Sequence, residues 1–308
     1  MLLQHKLNDS NKVSNTILTF GNFDGLHLGH MKLLETIRLL SRKINAKSVI
    51  LTFTPHTSTV LNLSANYKCL TTYKEKINIL SSKLIDIICE VDFTDKFSLI
   101  EPDHFMDILI NKYSPKCVVL GYDNKFGKNG MGNIEHLRSK KRYRNIDFVE
   151  VAPFAIENKI IKSSLIRKFI LNGKIQEANK CLNRPYQISG IVVKGDSMGR
   201  TLGFPTANIK ISNKEQLIPK NGVYSVTLIL DSSNKNAICN IGIRPTLKMD
   251  TKLQIEVHII NDKINLYDKE VKINFNHFIR DEKKFENKKQ LIEQIKIDIS
   301  SLKKEGEA

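Results

Sequence analysis

"TFGNFDGLHLGH" (residues 19–30) places three glycines and two histidines in twelve positions, directly after an apolar run. Glycine allows tight turning and close approach of the backbone to a ligand. His27 and His30, three apart where a strand gives way to a helix, project toward one site. The open N–H groups and positive dipole end of a helix start form an anion site. Imidazoles beside such a site can bond phosphate oxygens and steady the charge on a leaving pyrophosphate. Two other readings stand beside this one. Zinc is weakened by the lack of a nearby third ligand, and a histidine can simply cap the helix. The stretch is not G-x-G-x-x-G and the chain has no G-x-x-x-x-G-K-[ST], so any ATP held here is held without a P-loop.

Working outward, apolar runs alternate with helical patterns through the first half. Residues 16–20, 48–53, 84–93, 117–121 and 146–151 are predicted strands. Between the first two, Leu33, Ile37, Leu40 and Ile44 recur at helical spacing over 30–44. Strands alternating with helices predict a Rossmann-like α/β domain with a mostly parallel sheet and a ligand crevice at the strands' carboxyl ends. A helical stretch, 163–182, follows. After "NRPY" (183–186) the rhythm changes to short runs rich in Val and Ile, separated by Asn, Gly, Asp and Pro. These predict a small antiparallel β-barrel. A C-terminal helix over 287–303, with Leu291, Ile295, Ile299 and Leu302 on one face, completes it. The domain boundary is placed near 184.

Composition sets the class. The 308 residues suit two domains. No stretch approaches the roughly 18 apolar residues of a membrane span. The start, "MLLQHKLNDSNK", lacks a basic region followed by an apolar core, so cytoplasmic residence is expected. Five scattered cysteines, none in a C-x-x-C pair, argue for buried free thiols over a disulfide framework. The net charge of +16 invites a nucleic-acid partner, with "RSKKRYR" (138–144) its densest run. The lysines are spread along the chain, however, and that run reads better as a solvated helix end. Neither a nucleic-acid nor a membrane partner is expected, and a weak homo-oligomer is compatible with the sequence.

G-x-F-D-G-x-H-x-G-H resembles the first motif of the nucleotidyltransferase domain in bacterial bifunctional riboflavin kinase/FAD synthetases. "LTFTPH" (51–56), "GYDNKFG" (121–127) and "SSLIR" (163–167) resemble its further motifs, in order. The resemblance implies that His27 and His30 stabilise the triphosphate transition state. It sets Gly21 and Asp24 in the phosphate-binding motif, His56 and Asp123 along the nucleotide, and Ser164 and Arg167 on phosphates. A hydroxyl and a guanidinium one helical turn apart do suit an anionic oxygen cluster. Three positions depart from the family: Lys162 replaces a serine, Asn124 an aromatic residue and Gly130 an arginine.

In the second half, "VVKGDSMGRTLGFPTANI" (192–209) reads either as a glycine-rich hairpin or as a loop closing over phosphates, with Gly195 and Gly203 in it. Thr206 and Asn208 offer neutral oxygens suited to Mg²⁺ already partly satisfied by phosphates. Residues 219–226, 240–247, 255–262 and 266–285 resemble the riboflavin kinase pattern in order and spacing. That resemblance implies a proton-accepting role for Glu256, magnesium at Thr206 and Asn208, and a flavin-side contact for Arg280, for which a surface ion pair is the rival. His258 is read as structural, and Asp268 replaces a usual glycine. Taken together, the resemblance implies residues 1–183 as FMN adenylyltransferase and 184–308 as riboflavin kinase, with riboflavin, FMN and ATP as substrates. A riboflavin kinase with a degenerate first domain is the alternative. An adenylyltransferase for another acceptor, or a nucleic-acid binder resting on charge alone, explains less of the chain.

Overall fold

The alternating runs of the first half become one parallel sheet. The computed structural model describes residues 3–62, 67–194, 203–231, 233–245, 251–260 and 266–305. It divides into two compact units, Met1–Ser163 and Ser164–Ala308. The first runs β1 (Leu3–Lys6), β2 (Thr16–Gly21), α1 (Leu28–Lys43), β3 (Lys47–Thr54), α2 (Thr57–Val60), α3 (Tyr73–Ser81), β4 (Ile87–Asp92), α4 (Asp95–Ser98), α5 (Pro102–Tyr113), β5 (Pro115–Gly121), α6 (Ile134–Ser139) and β6 (Asp147–Val151). A hairpin of β7 (Ala155–Ile156) and β8 (Lys159–Ile160) follows.

The sheet order is β1-β4-β3-β2-β5-β6, and every neighbouring pair is parallel. Burial on both faces explains why its strands read as continuous apolar runs. Ile17 packs with Leu33, Leu34 and Ile37 of α1 on one face. Leu18 and Phe20 pack with Phe105, Met106 and Leu109 of α5 on the other. The chain leaves β2 toward β3 and β4 on one side and returns to β5 on the other. The carboxyl ends of β2 and β5 therefore form the switch point where such sheets hold ligands.

Two details differ from the sequence reading. β1 adds a sixth strand, paired with β4 at the sheet edge; four residues are too short a run for alternation to register. Ile44, expected on the buried stripe of α1, is the residue that ends the helix and is exposed.

The second unit carries α7 (Ser163–Leu171) and α8 (Ile175–Leu182). It then builds a barrel of β9 (Tyr186–Val193), β10 (Ala207–Ile211), β11 (Gly222–Leu230), β12 (Ser233–Pro245), β13 (Thr251–Ile259) and β14 (Glu270–Arg280), followed by α9 (Lys288–Glu305). The barrel is closed in the order β10-β13-β12-β11-β14-β9, antiparallel throughout. Tyr186, Ile188, Tyr224, Val226, Val257, Ile273 and Phe275 are among its buried side chains. At the closing seam a Cβ on Gly190 would stand 2.7 Å from the Lys210 carbonyl oxygen and against Ile209. Glycine is what lets β9 and β10 approach there. Sequence patterning places the boundary at 183/184, whereas the compact units divide at 163/164. The reason is that 164–182 is tied to the barrel. Asn179 donates to the Phe275 carbonyl at 2.8 Å and accepts from the Tyr186 amide at 2.7 Å, and the Lys220 amide donates to the Ile170 carbonyl.

Candidate active sites

The first site grows from the end of β2. Gly21 closes the strand, and the next five residues turn sharply, with the buried Phe23 and Leu26 at positive φ as well as Gly25. Non-glycine residues seldom hold that backbone conformation, and where they do it marks sites whose surroundings enforce it. His27 then occupies the N-cap of α1 with extended backbone, but its ring makes no capping bond to the helix. Instead the His27 and His30 rings stack, centroids 3.8 Å apart and 17° from parallel, and the Phe23 edge meets His30. A Cβ on Gly29 would stand 3.2 Å from the His27 ring. The glycine leaves that ring room over the first turn of α1. The capping reading therefore gives way to two imidazoles brought together at a helix start. Among the described residues, no group of three or more His, Cys, Asp or Glu side chains is disposed to hold a metal.

Asp24 faces inward. Its carboxylate accepts from the Leu70 and Thr71 amides at 2.9 and 3.2 Å and from the Tyr67 hydroxyl at 2.9 Å. Its carbonyl accepts from the Ser163 hydroxyl at 2.9 Å. His56 caps α2, Nδ1 accepting from the Ser58 amide, and its ring stacks on Tyr67. With Nδ1 an acceptor, the ring proton sits on Nε2. Asn22 ties the two motif loops together: its amide nitrogen donates to Thr57 Oγ1 at 2.8 Å and its oxygen accepts from the Thr57 N–H at 3.3 Å. Across the switch point, Asn124 turns back to donate to the Phe20 carbonyl. Asp123 is half-exposed at the end of β5 and lies 3.7 Å from Lys162, whose ammonium stands over the Tyr122 ring. The Tyr122 hydroxyl, then Asp123, raise the Lys162 pKa. Ser164 and Arg167 sit one turn apart on α7, the serine exposed and the arginine half-buried.

Sequence reasoning missed Lys76. It is 6% exposed, and its ammonium donates to Thr52 Oγ1 at 2.7 Å, the Asn22 carbonyl at 3.1 Å and the Phe53 carbonyl at 3.4 Å. Burial lowers its pKa to about 8, opposed by the Asp24 carboxylate. Its one sign in the sequence is its place four residues before the buried Leu80, on the inner face of α3.

The second site spans β10 and β13. Asn208 and Glu256 are direct cross-strand partners, and Asn240 flanks Glu256 from β12. Gln254, also missed from sequence, shares the Glu256 face and bridges the pair. Its amide donates to Asn208 Oδ1 at 2.9 Å and to Glu256 Oε1 at 2.8 Å. Thr206 immediately precedes β10, and His258 Nδ1 donates to the neighbouring Pro205 carbonyl at 2.9 Å. Gly203 has φ +84°, with nothing near the position of a Cβ. Gly195 lies outside the described residues. Arg280 is committed elsewhere: its guanidinium forks onto Asp298 of α9 at 2.8 to 3.1 Å, the aspartate only 4% exposed.

Fold and side chains together give a two-unit chain, a parallel-sheet unit with paired histidines at a helix start and a closed-barrel unit with a cluster of Asn, Gln and Glu side chains on adjacent strands. Two family models match, FAD synthetase over residues 9–165 and riboflavin kinase over 182–305. A bifunctional riboflavin kinase/FMN adenylyltransferase of Buchnera aphidicola is 39% identical, covering 94% of each chain. Its Escherichia coli counterpart is 32% identical over 92% of this chain and 90% of its own. A crystal structure of a macrolide-efflux protein from Streptococcus pneumoniae superposes with a TM-score of 0.88 at 27% identity, covering 97% of this chain and 98% of that one. Among the described residues here, no helix is long and apolar enough to cross a membrane. The chain belongs to the bifunctional riboflavin kinase/FMN adenylyltransferase family, and both of that family's domains are present.

Proposed function

We propose that the barrel, residues 184–308, phosphorylates riboflavin to FMN, and that the parallel-sheet domain, residues 1–183, adenylylates FMN to FAD. The observation carrying this reading is the presence in one chain of the stacked His27–His30 pair at a helix start and the cross-strand Asn208–Glu256 pair on a riboflavin-kinase barrel. In the kinase step the riboflavin 5′-hydroxyl attacks the γ-phosphorus of ATP, its proton passes to Glu256, and ADP leaves. In the second step an FMN phosphate oxygen attacks the α-phosphorus of ATP and pyrophosphate departs. His27 and His30 neutralise the charge growing on that leaving group. Gly21 and the inward-facing Asp24 shape the loop that presents them. His56 and Asp123 border the nucleotide, while Ser164 and Arg167 take phosphate oxygens. Gly203 belongs to the segment facing the kinase phosphates, and Arg280 bears on the flavin side through the helix it anchors.

The barrel's donor set fits magnesium delivered with ATP. Asn208 offers an amide oxygen whose second lone pair is still open beside the Gln254 bond. Thr206 adds a hydroxyl one residue before β10, and both are hard neutral ligands. Thr206 and Asn208 would hold the Mg²⁺, which would supply positive charge against the phosphates of ATP. The net charge of +16 suits the polyanions ATP and FMN. We place the protein in the cytoplasm, acting on small molecules without nucleic acid or membrane. Asn124, Lys162 and Gly130 depart from the family, yet Asn124 braces β2 and Lys162 pairs with Asp123. This favours a working first domain over a degenerate one.

Purified protein given riboflavin, ATP and Mg²⁺ is expected to yield both FMN and FAD when the flavins are separated. FMN alone would indicate a kinase with an inactive first domain, and neither product would sink the reading.

A further inference from the structure

We infer that Lys76 is a positioning residue for adenylyl transfer, its ammonium fixing the Asn22 loop against the end of β3. The inference rests on the reading that the first domain makes FAD. An ammonium carries three donors and no acceptor, and here three acceptors converge on it, two from the end of β3 and one from the loop that follows β2. Thr52 Oγ1 also lies within 3.4 Å of the Asn22 carbonyl. Asn22 in turn grips Thr57 with both ends of its amide. Lys76, Thr52, Asn22 and Thr57 are thus one network. It runs from α3 at the carboxyl end of β3 to the two segments that carry His27, His30 and His56.

The chemistry argues for function over packing. A buried cation is costly to desolvate, and an unbranched apolar side chain of similar length would fill the same space at lower cost. The charged and titratable groups facing it are Asp24 from the loop after β2, Cys69 from the segment before α3, Glu90 from β4 and the Tyr73 ring at 5.6 Å. None of them supplies three donors to the strand ends. Without Lys76 the Asn22 and Phe53 carbonyls lose its ammonium as a donor, leaving the Asn22 carbonyl the long 3.4 Å approach of the Thr52 hydroxyl, and the loop that aims the histidines can shift. A shift of about 1 Å in such a loop costs about 100-fold in rate.

The test is steady-state FMN-to-FAD conversion by the full chain carrying Lys76→Met, with riboflavin phosphorylation by the same preparation and a thermal unfolding scan as controls. The expected result is a kcat about 100-fold down, with KM for ATP and riboflavin phosphorylation close to wild type. Wild-type kcat in a folded Lys76→Met protein overturns the inference. So does a raised KM with unchanged kcat, which is lost binding and not lost positioning. If Lys76→Met fails to fold, Thr52→Val decides, because it removes one acceptor and keeps the charge. A smaller kcat loss of the same kind supports the network, and wild-type kcat overturns it. If the wild-type protein itself makes no FAD, the functional reading fails first and takes this inference with it.

Discussion

Burial makes the Lys76 ammonium titratable within reach of ordinary buffers. Its folded pKa of about 8 lies below the ordinary 10.5. Between those values the unfolded chain binds the extra proton, so stability rises with pH across that window and is lost again as pH falls through 8. From pH 8 to 9 the gain from this one group is about 1 kcal/mol. The buried Cys89 and Cys117 thiols, pushed up from 9.0 to about 11 by burial, act in the opposite sense from about pH 8 upward, equally in wild type and in a Lys76 variant. Urea unfolding of the first domain at pH 8 and pH 9 should therefore show wild type gaining about 1 kcal/mol relative to Lys76→Met. An equal gain in both proteins would assign it to another group. Lys76 also shows where sequence reading stops. The histidines were legible because their spacing at a strand–helix junction is itself a pattern. Lys76 and Gln254 were not, because each matters through partners on other strands, and cross-strand contacts leave no local trace.

Among the elements, those with a long period were legible and the short or shared ones were not. β2 to β6 and α1 stand out because each repeats its pattern over several residues. β10 starts within a stretch, 192–209, that reads equally as a glycine-rich hairpin or a phosphate loop, since its five residues become a strand only by closing the barrel between β9 and β13. The last helix was read by its apolar stripe, yet the most buried of its described side chains is a charge, Asp298, held by Arg280 of β14. Removing one member of a buried ion pair leaves the other uncompensated, at about 3 kcal/mol. Asp298→Ala should therefore destabilise the barrel domain by about 3 kcal/mol in urea, with the first domain's transition unmoved. Replacing both partners by apolar residues should recover most of that loss, as expected when the cost lies in the orphaned guanidinium. If the single and double variants unfold together with wild type, α9 is held by its apolar face alone.

At the scale of the whole chain, His27 and His30 lie in one compact unit and Asn208 and Glu256 in the other. Damage to one should therefore leave the other's chemistry intact. Glu256→Ala should abolish riboflavin phosphorylation while converting supplied FMN to FAD at the wild-type rate. The loss expected for a well-placed catalytic group is about 100-fold or more. His27→Ala with His30→Ala should do the reverse and accumulate FMN. A mixture of the two variants then tests how the steps are joined. If FMN leaves the barrel and diffuses, the mixture makes FAD from riboflavin after a lag while free FMN builds up. The lag shortens as the His27/His30 variant, which supplies the FMN, is raised. Added FMN should remove the lag outright. Failure of the mixture to make FAD, with each variant retaining its single activity, would instead mean that newly made FMN stays bound to the protein that formed it.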